Sequence, residues 1–194
     1  MITTSAKLDN APQIRFVSSN PFKINEAKGI LGERGFEVIP VDQKIEEIQS
    51  SDTGILVRDK LLKAFNLVGR PLFVEHTGLY INRINGLPGG LTQVFWDKLE
   101  AELFSAILGE GPHTAAHAIT TIAYCDGKKL HNFEGQIQGR IVEKPRGPRE
   151  FQWDCIFQPN GQGLTFAEMG SKKNELSMRR IAIDKLARHL EAKR

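Results

Sequence analysis

The first half of the chain alternates short apolar runs with stretches of helical periodicity. Residues 14–19 and 36–41 are rich in strand-forming side chains, and a helical pattern occupies residues 23–34 between them. A second helical pattern ends at Gly69, and an apolar run at residues 72–75 follows it. These patterns predict alternating strands and helices, and the strand at 72–75 is expected to end where polar side chains begin.

The second half places its strands next to one another. Apolar residues at four-residue intervals predict an amphipathic helix over residues 94–108. Two strand-like stretches follow at residues 118–125 and 131–142, and a helix is predicted from residue 177 to the end of the chain. Alternation early in the chain and clustered strands later predict an α/β fold with a mixed sheet.

Composition and charge limit the class of protein. The chain has 194 residues, of which 40% are hydrophobic and 25% are charged, and this predicts one soluble domain. The formal net charge is only +3, so nucleic acid is not an expected partner. Cys125 and Cys155 form neither a disulfide pattern nor a C-x-x-C pair, so both are expected to be buried. Because no signal-like start or long apolar run is present, we expect a cytoplasmic protein without membrane contact.

The stretch SSNPFK, residues 18–23, lies between a predicted strand and a predicted helix. Backbone N–H groups at a helix N-terminus, joined by Ser18, Ser19, Asn20 and the Lys23 ammonium, make a natural phosphate cradle. The G-x-x-x-x-G-K-[ST] sequence of a P-loop is absent. A plain capped turn is therefore the alternative interpretation.

Glu75, His76 and Thr77 follow the apolar run of the third predicted strand, and the loop NGLPGG comes at residues 85–90. Ligands tend to bind beyond strand ends in α/β sheets, and glycines let the backbone approach a ligand closely. A binding or catalytic site is one interpretation. An edge carboxylate and a solvated imidazole beside an ordinary turn is the other.

Two further stretches combine aromatic or basic side chains. In FQWD, residues 151–154, Phe151 and Trp153 offer flat faces to a nucleobase, and Asp154 offers a hydrogen-bond acceptor. Residues 171–180 cluster cations just before the last predicted helix. Core packing and a solvated basic turn are the respective alternatives.

The order and spacing of these four stretches resemble the inosine triphosphate pyrophosphatase family, which hydrolyses noncanonical purine nucleoside triphosphates. The resemblance extends from Ile14 to Leu190. It implies an elongated α/β fold in which helices flank a long, mixed, twisted sheet. It also implies an N-terminal tail at residues 1–13, a single domain at residues 14–194, a homodimer, and Mg²⁺ as the cofactor, with Mn²⁺ as the alternative ion.

The resemblance also implies roles for individual residues. Glu47, Glu75 and His76 match the positions that bind the metal and carry the catalytic chemistry. The positions matched to substrate binding are Ser18, Ser19, Asn20, Lys23, Thr77, Phe151, Gln152, Trp153, Asp154, Lys173, Met178 and Arg179.

Several positions depart from the family's pattern. His76 replaces an Asp implicated in metal and water handling, and Met178 replaces the His of a Ser-His-Arg motif. A phosphate-contacting lysine of the family falls on Asp59, next to Lys60, and another falls on Gln93. These departures lie at chemically sensitive places, so they bear on catalysis and on base preference.

The departure at His76 leaves two roles open. Mg²⁺ strongly prefers oxygen ligands, so an imidazole beside Glu47 and Glu75 favours Mn²⁺ as the ion. The imidazole can instead take the proton of the attacking water. On the base side, Arg179 can donate to a 6-keto oxygen, which favours hypoxanthine, xanthine or guanine over adenine, and Met178 is expected to weaken that discrimination.

Two functions are therefore carried forward. The leading one is a metal-dependent nucleoside triphosphate pyrophosphatase that converts ITP, XTP or dITP to the monophosphate and pyrophosphate. The alternative is a catalytically impaired relative that binds a nucleotide as a sensor or regulator. In both cases the nucleoside triphosphate is the expected ligand, and a second copy of the chain is the expected partner.

Overall fold

The computed structural model describes residues 11–193. The strands are β1 (Gln13–Val17), β2 (Glu37–Val41), β3 (Leu72–Ile81), β4 (Pro88–Gly89), β5 (Ala115–Cys125), β6 (Leu130–Ile141) and β7 (Phe157–Pro159). The helices are α1 (Pro21–Glu33), α2 (Thr53–Val68), α3 (Thr92–Leu108), α4 (Phe166–Met169), α5 (Lys173–Leu176) and α6 (Met178–Glu191). Short 3₁₀ helices lie at Asn82–Ile84, Gln152–Cys155 and Gly170–Lys172.

The strands form one mixed seven-stranded sheet, which confirms the predicted fold class. The main order is β2-β1-β3-β5-β6-β7, and β4 pairs separately with β3. Strand β1 pairs in parallel with β2 and β3, whereas β3, β5, β6 and β7 pair antiparallel in succession. The helices α1 and α2 supply the crossovers that parallel neighbours need.

Most of the predicted elements are present with shifted ends. The predicted helix at residues 94–108 is α3, which is interrupted at Glu100, where φ is 52°. Of the predicted tail at residues 1–13, residues 1–10 lie outside the described part of the chain, and Gln13 already begins β1. Cys125 and Cys155 are both free and buried, as predicted.

Strand β3 is longer than its sequence predicts. The predicted end at Glu75 is wrong, because β3 continues to Ile81 and pairs with β5 over ten residues. The polar trio Glu75, His76 and Thr77 therefore lies in the middle of a strand. Its side chains alternate between the two faces of the sheet.

Each face of the sheet near β3 is covered by different helices. Phe73 packs in a cluster with residues of α1 and α6, whereas Leu72 and Val74 pack with residues of α2. By this alternation Glu75 faces α1 and α6, and His76 faces α2.

One edge of β3 is left open between two short partners. Strand β1 pairs with β3 only at Leu72 and Phe73, and β4 pairs with it only at Leu79 and Tyr80. Within residues 11–193, no strand covers residues 74–78 on that side. A ligand at this gap can therefore reach side chains from both faces of the sheet, at the carboxyl end of the parallel strand β1.

Helix α6 packs closely against β6. A Cβ atom added to Gly135 would lie 2.0 Å from the Met178 carbonyl oxygen and 2.7 Å from the Ala182 amide nitrogen. Glycine at this position therefore allows the first turn of α6 to approach the sheet, with Met178 and Arg179 at its start. Between residues 11 and 193, the structure contains no helix with the length and apolarity needed to span a membrane.

Candidate active site

A cleft of about 370 Å³ opens at the uncovered edge of β3. It is formed by the start of α1, the segment before α2, the middle of β3, the start of α3, the start of α6 and residues 151–154 (FQWD), called the aromatic segment below. Ten of the residues predicted from the sequence line it: Asn20, Lys23, Glu47, His76, Thr77, Phe151, Gln152, Trp153, Met178 and Arg179.

The turn before α1 is capped by its own side chains. Asn20 Oδ1 accepts hydrogen bonds from the Phe22 and Lys23 amides at 3.0 and 3.2 Å. Ser18 Oγ accepts from the Asn20 amide at 3.2 Å, whereas Ser19 is exposed and lies outside the cleft lining. The turn is thus a capped helix start, and it directs Lys23 toward β3.

Glu75 is held between two cations beneath the cleft. Lys23 Nζ lies 2.5 Å from Glu75 Oε1, and Arg179 Nε donates to Glu75 Oε2 at 3.0 Å. Burial raises the pKa of Glu75, but these cations outweigh it and hold that pKa well below its usual range. Burial lowers the pKa of Lys23 despite the charge of Glu75.

Arg179 connects this pair to α1 and to the next residue of the same strand face. Its Nη1 donates to Glu26 and its Nη2 donates to Thr77 Oγ1 at 3.3 Å. Burial alone would lower the pKa of Arg179, but Glu75 and Glu26 raise it above its ordinary value. Thr77 Oγ1 also pairs with Thr120 Oγ1 on β5 at 2.7 Å, so the cluster is anchored to the sheet.

A second charged group lies on the other face of β3. Lys60 Nζ on α2 donates to Glu47 Oε1 at 2.7 Å and to the Glu75 carbonyl oxygen at 3.4 Å. His76 Nδ1 lies 3.4 Å from Glu47 Oε2, and His76 Nε2 is buried without a hydrogen-bond partner in the described residues. Burial opposes ionisation of Glu47, but His76 and Lys60 lower the pKa of Glu47 to about 2.

Two residues of this site, Lys60 and Glu26, were missed as site residues by the sequence analysis. The resemblance matched a phosphate-contacting lysine to Asp59, but Asp59 pairs with Lys63 at 2.8 Å while Lys60 contacts Glu47. The signal for Lys60 was its position directly after Asp59 in the sequence. For Glu26, the signal was its spacing of three residues after Lys23 on a predicted helix.

Asp154 and Lys173 form a buried pair behind the aromatic segment. Lys173 Nζ donates to Asp154 Oδ2 at 2.5 Å and lies 4.1 Å from the centre of the Phe151 ring. Asp154 Oδ1 is buried without a hydrogen-bond partner among the described residues. Burial raises the pKa of Asp154 to about 6, although Lys173 acts in the opposite direction. The Phe22 ring lies 5.1 Å from that of Phe151.

The three residues predicted as metal ligands are not gathered into a protein-only cage. Between residues 11 and 193, no group of three or more His, Cys, Asp or Glu side chains could hold a metal ion. Glu75 is engaged by Lys23 and Arg179, while Glu47 and His76 lie together. Joint binding of one ion by Glu47, Glu75 and His76 therefore stays a prediction.

Cations, a paired carboxylate and aromatic faces thus meet in one cleft at the carboxyl end of a parallel strand. The cations suit phosphate oxygens, and the flat rings suit a base. This combination of fold and site is typical of α/β proteins that bind nucleotides.

Comparison with known proteins defines the family. A model of the Ham1 family matches residues 14–189, so the chain belongs to the Ham1 family. Over 188 residues it is 39% identical to an inosine triphosphate pyrophosphatase of Puccinia graminis f. sp. tritici, covering 92% of this chain and 97% of that protein. Over 177 residues it is 34% identical to a dITP/XTP pyrophosphatase of Methanopyrus kandleri, with coverages of 90% and 94%.

A solved structure supports the same assignment. The Ham1 protein of Staphylococcus aureus matches with a TM-score of 0.77 and 25% identity, over 94% of this chain and 100% of that one. The resemblance inferred from the sequence and the mixed α/β fold are both confirmed.

Proposed function

We propose that this protein is a metal-dependent nucleoside triphosphate pyrophosphatase that hydrolyses ITP, XTP and dITP to the monophosphate and pyrophosphate. The observation that carries the proposal is the buried Lys23–Glu75–Arg179 cluster beside a cleft that also contains Glu47 and His76. The names of the relatives from Puccinia graminis and Methanopyrus kandleri support this substrate class.

The reaction breaks the bond between the α-phosphorus and the oxygen that bridges it to the β-phosphorus. A water oxygen bonds to the phosphorus, the bridging oxygen leaves with pyrophosphate, and one proton is released. Negative charge on the phosphate oxygens must be balanced in the cleft. Lys23 lines the cleft, and Lys60 lies on the opposite face of β3, so both can supply this positive charge.

In this proposal His76 receives the proton of the attacking water. Glu47 lies beside Nδ1, which orients the ring, and Nε2 has no partner in the described residues. An imidazole whose one nitrogen is held by a carboxylate and whose other nitrogen has no partner is suited to general-base catalysis. Glu47 is then a positioning residue for His76, and Lys60 balances the negative charge of the Glu47 carboxylate.

The residues present fit a divalent ion that is shared with the substrate. Glu47 would hold it from the protein side when His76 acts as the base, and in the alternative role His76 Nε2 would bind the ion together with Glu47 instead of taking the proton. Phosphate oxygens and water would complete its shell. When bound, such an ion neutralises charge on the phosphate oxygens. The imidazole nitrogen makes Mn²⁺ a better ligand match than it would be at an all-carboxylate site.

The base is assigned to the aromatic segment. The Phe151 ring offers a stacking surface, and the buried Asp154–Lys173 pair supports that ring from behind. Lys173 stays paired with Asp154, and Arg179 stays paired with Glu75 and Glu26. Arg179 therefore mainly holds the cluster together. Those of its N–H groups that make no bond within the cluster can donate to substrate.

The second candidate is a nucleotide-binding sensor without efficient turnover. It is favoured by the lack of a three-residue metal cage within residues 11–193 and by the paired state of Glu75. Phosphorus NMR of ITP incubated with the protein separates the two. IMP and pyrophosphate as products support the enzyme, IDP and phosphate contradict the bond assigned here, and saturable binding without products supports the sensor.

We also propose that the protein acts in the cytoplasm as a homodimer. Leu103 and Ile107, one turn apart on α3, are 50% and 48% exposed, and an apolar pair of this kind suits a partner surface. Sedimentation equilibrium of the native chain tests the dimer. Replacement of both residues by Ser is expected to shift the mass toward a monomer, and an unchanged mass would exclude this face.

A further inference from the structure

Three polar side chains form a hydrogen-bonded chain along one wall of the cleft. Gln152 Nε2 donates to Gln93 Oε1 at 2.5 Å, and Gln93 Nε2 donates to Asp97 Oδ1 at 2.6 Å. Gln93 and Asp97 lie one turn apart on α3, and Gln152 lies in the 3₁₀ helix of the aromatic segment. All three residues line the cleft.

The carboxylate at the end of this chain fixes the direction of each bond. A carboxylate only accepts hydrogen bonds, whereas a glutamine amide can turn over and exchange its oxygen with its nitrogen. Because Asp97 accepts, Gln93 gives its Nε2 to Asp97 and its Oε1 to Gln152. Gln152 must then give Nε2 to Gln93, which leaves its Oε1 and one N–H for a ligand.

The backbone also holds Gln152 in an unusual conformation. Its φ is 47°, in the left-handed region where residues other than glycine are uncommon. Such a conformation persists when surrounding contacts compensate for its strain, and the bond to Gln93 is one such contact. The amide is therefore held in the cleft that Phe151 also lines, and a flat base would stack on the Phe151 ring.

We propose that Gln152 is a specificity-determining residue that reads the edge of a purine formed by positions 1 and 6. This inference rests on the proposed function, which makes purine triphosphates the ligands. A 6-oxopurine presents the acceptor O6 beside the donor N1–H, and adenine presents a 6-amino donor beside the acceptor N1. A glutamine amide that is free to flip by 180° can pair with either edge. An amide whose orientation is fixed through Asp97 can pair with only one of the two donor–acceptor patterns.

With the base in a single pose, the fixed amide selects one class of purine. Gln152 Oε1 accepts N1–H and its free N–H donates to O6 of hypoxanthine, xanthine or guanine. Adenine in the same pose sets donor against donor and acceptor against acceptor, and unpaired polar groups in a site reject a ligand strongly. Asp97 and Gln93 are thus positioning residues, which act through Gln152.

The test uses Asp97→Asn, which keeps the size of the side chain but lets it donate as well as accept. Calorimetry would measure the Kd of the uncleavable α,β-methylene analogues of ITP and ATP for the native protein and its variants. We expect the native protein to prefer the inosine analogue by at least about tenfold and Asp97→Asn to reduce that preference to about threefold or less. Gln152→Met should weaken binding of the inosine analogue only, and Gln136→Met, at an exposed position of β6, should change neither Kd.

Two results would overturn the proposal. One is a native protein that binds both analogues with the same Kd, or that binds the ATP analogue more tightly. The other is a preference for the inosine analogue that stays unchanged in both Asp97→Asn and Gln152→Met. Since the readout is binding, it does not depend on turnover. A native protein that releases no pyrophosphate but gives the expected Kd ratios would refute the proposed activity while supporting this role of Gln152.

Discussion

His76 shows how a single side chain can change the chemistry of a site. It stands on β3 with Nδ1 near Glu47 and with Nε2 buried and unpartnered among the described residues. A carboxylate in this position would add negative charge to the cleft, whereas an imidazole adds a nitrogen base. His76 in place of the family's Asp therefore fits both functions carried forward from the sequence, the active pyrophosphatase and the catalytically impaired relative.

Replacing His76 by Ala tests its role directly. We expect kcat for ITP to fall by at least about 100-fold with little change in KM, because general-base catalysis acts on the chemical step. Pyrophosphate release by the purified variant is the measurement. His113→Ala, at an exposed position between α3 and β5, is the control. Equal turnover by native protein and His76→Ala would remove His76 from the mechanism.

The buried Asp154 carboxyl predicts that KM for ITP depends on pH and is higher at low pH. Burial raises the pKa of its carboxyl to about 6, against the opposing effect of Lys173. Above this pH the ionised group holds Lys173 beside the Phe151 ring on which the base would stack, and protonation at lower pH weakens that pair. KM for ITP should therefore rise as the pH falls through about 6 in the native protein. Asp154→Asn should show a flat profile over the same range, and parallel profiles would contradict this role.

At the scale of elements, β3 and α2 explain where sequence patterns succeed and fail. The apolar runs and helical periods correctly indicate the alternation of strands and helices, because burial imposes those periods. The extent of β3 could not be predicted from local patterns, since its polar trio pairs with residues 120–122 of β5, far away in the sequence. Lys60 was assigned to no role for a similar reason. Neighbouring residues of α2 point to different sides of the helix, so matching the family's lysine to Asp59 instead of Lys60 selects a side that does not meet Glu47.

The orientation of α2 gives a matched pair of variants. Lys60→Gln should lower kcat/KM for ITP by at least about tenfold, because it removes the cation beside Glu47 and the Glu75 carbonyl. Asp59→Asn changes a residue that pairs with Lys63 outside the cleft and should stay within about twofold of the native value. The reverse order of effects would show that Asp59, not Lys60, belongs to the site.

The packing of α6 on β6 predicts a stability effect at Gly135. A methyl group there would collide with the backbone of Met178 and Ala182, so Gly135→Ala should lower the free energy of unfolding by about 3 kcal/mol. Gly32→Ala in α1 meets no atom within 4 Å and should be neutral or stabilising by up to about 1 kcal/mol. Urea unfolding of both variants is the measurement. Equal stability of both variants would mean that α6 can move away from β6 at little cost.

At the scale of the whole molecule, the site is a product of tertiary structure. Lys23, Glu75 and Arg179 are far apart in sequence, and they meet because β1 ends early beside β3 while Gly135 lets α6 approach the sheet. The sequence could nominate these residues through a family resemblance. Local patterns could not predict their pairing, the gap beside β3, or the commitment of Glu75 to two cations.

The most direct test of the proposed activity is pyrophosphate release from ITP, XTP, dITP and the common nucleoside triphosphates. Native protein and His76→Asp would be assayed with Mg²⁺ and with Mn²⁺ in parallel. We expect the native protein to release pyrophosphate from ITP, XTP and dITP far faster than from ATP, and only when a divalent ion is added. A native protein that releases no pyrophosphate from any of these substrates with either ion would contradict the proposal, and recovery in His76→Asp would then assign the loss to that one position.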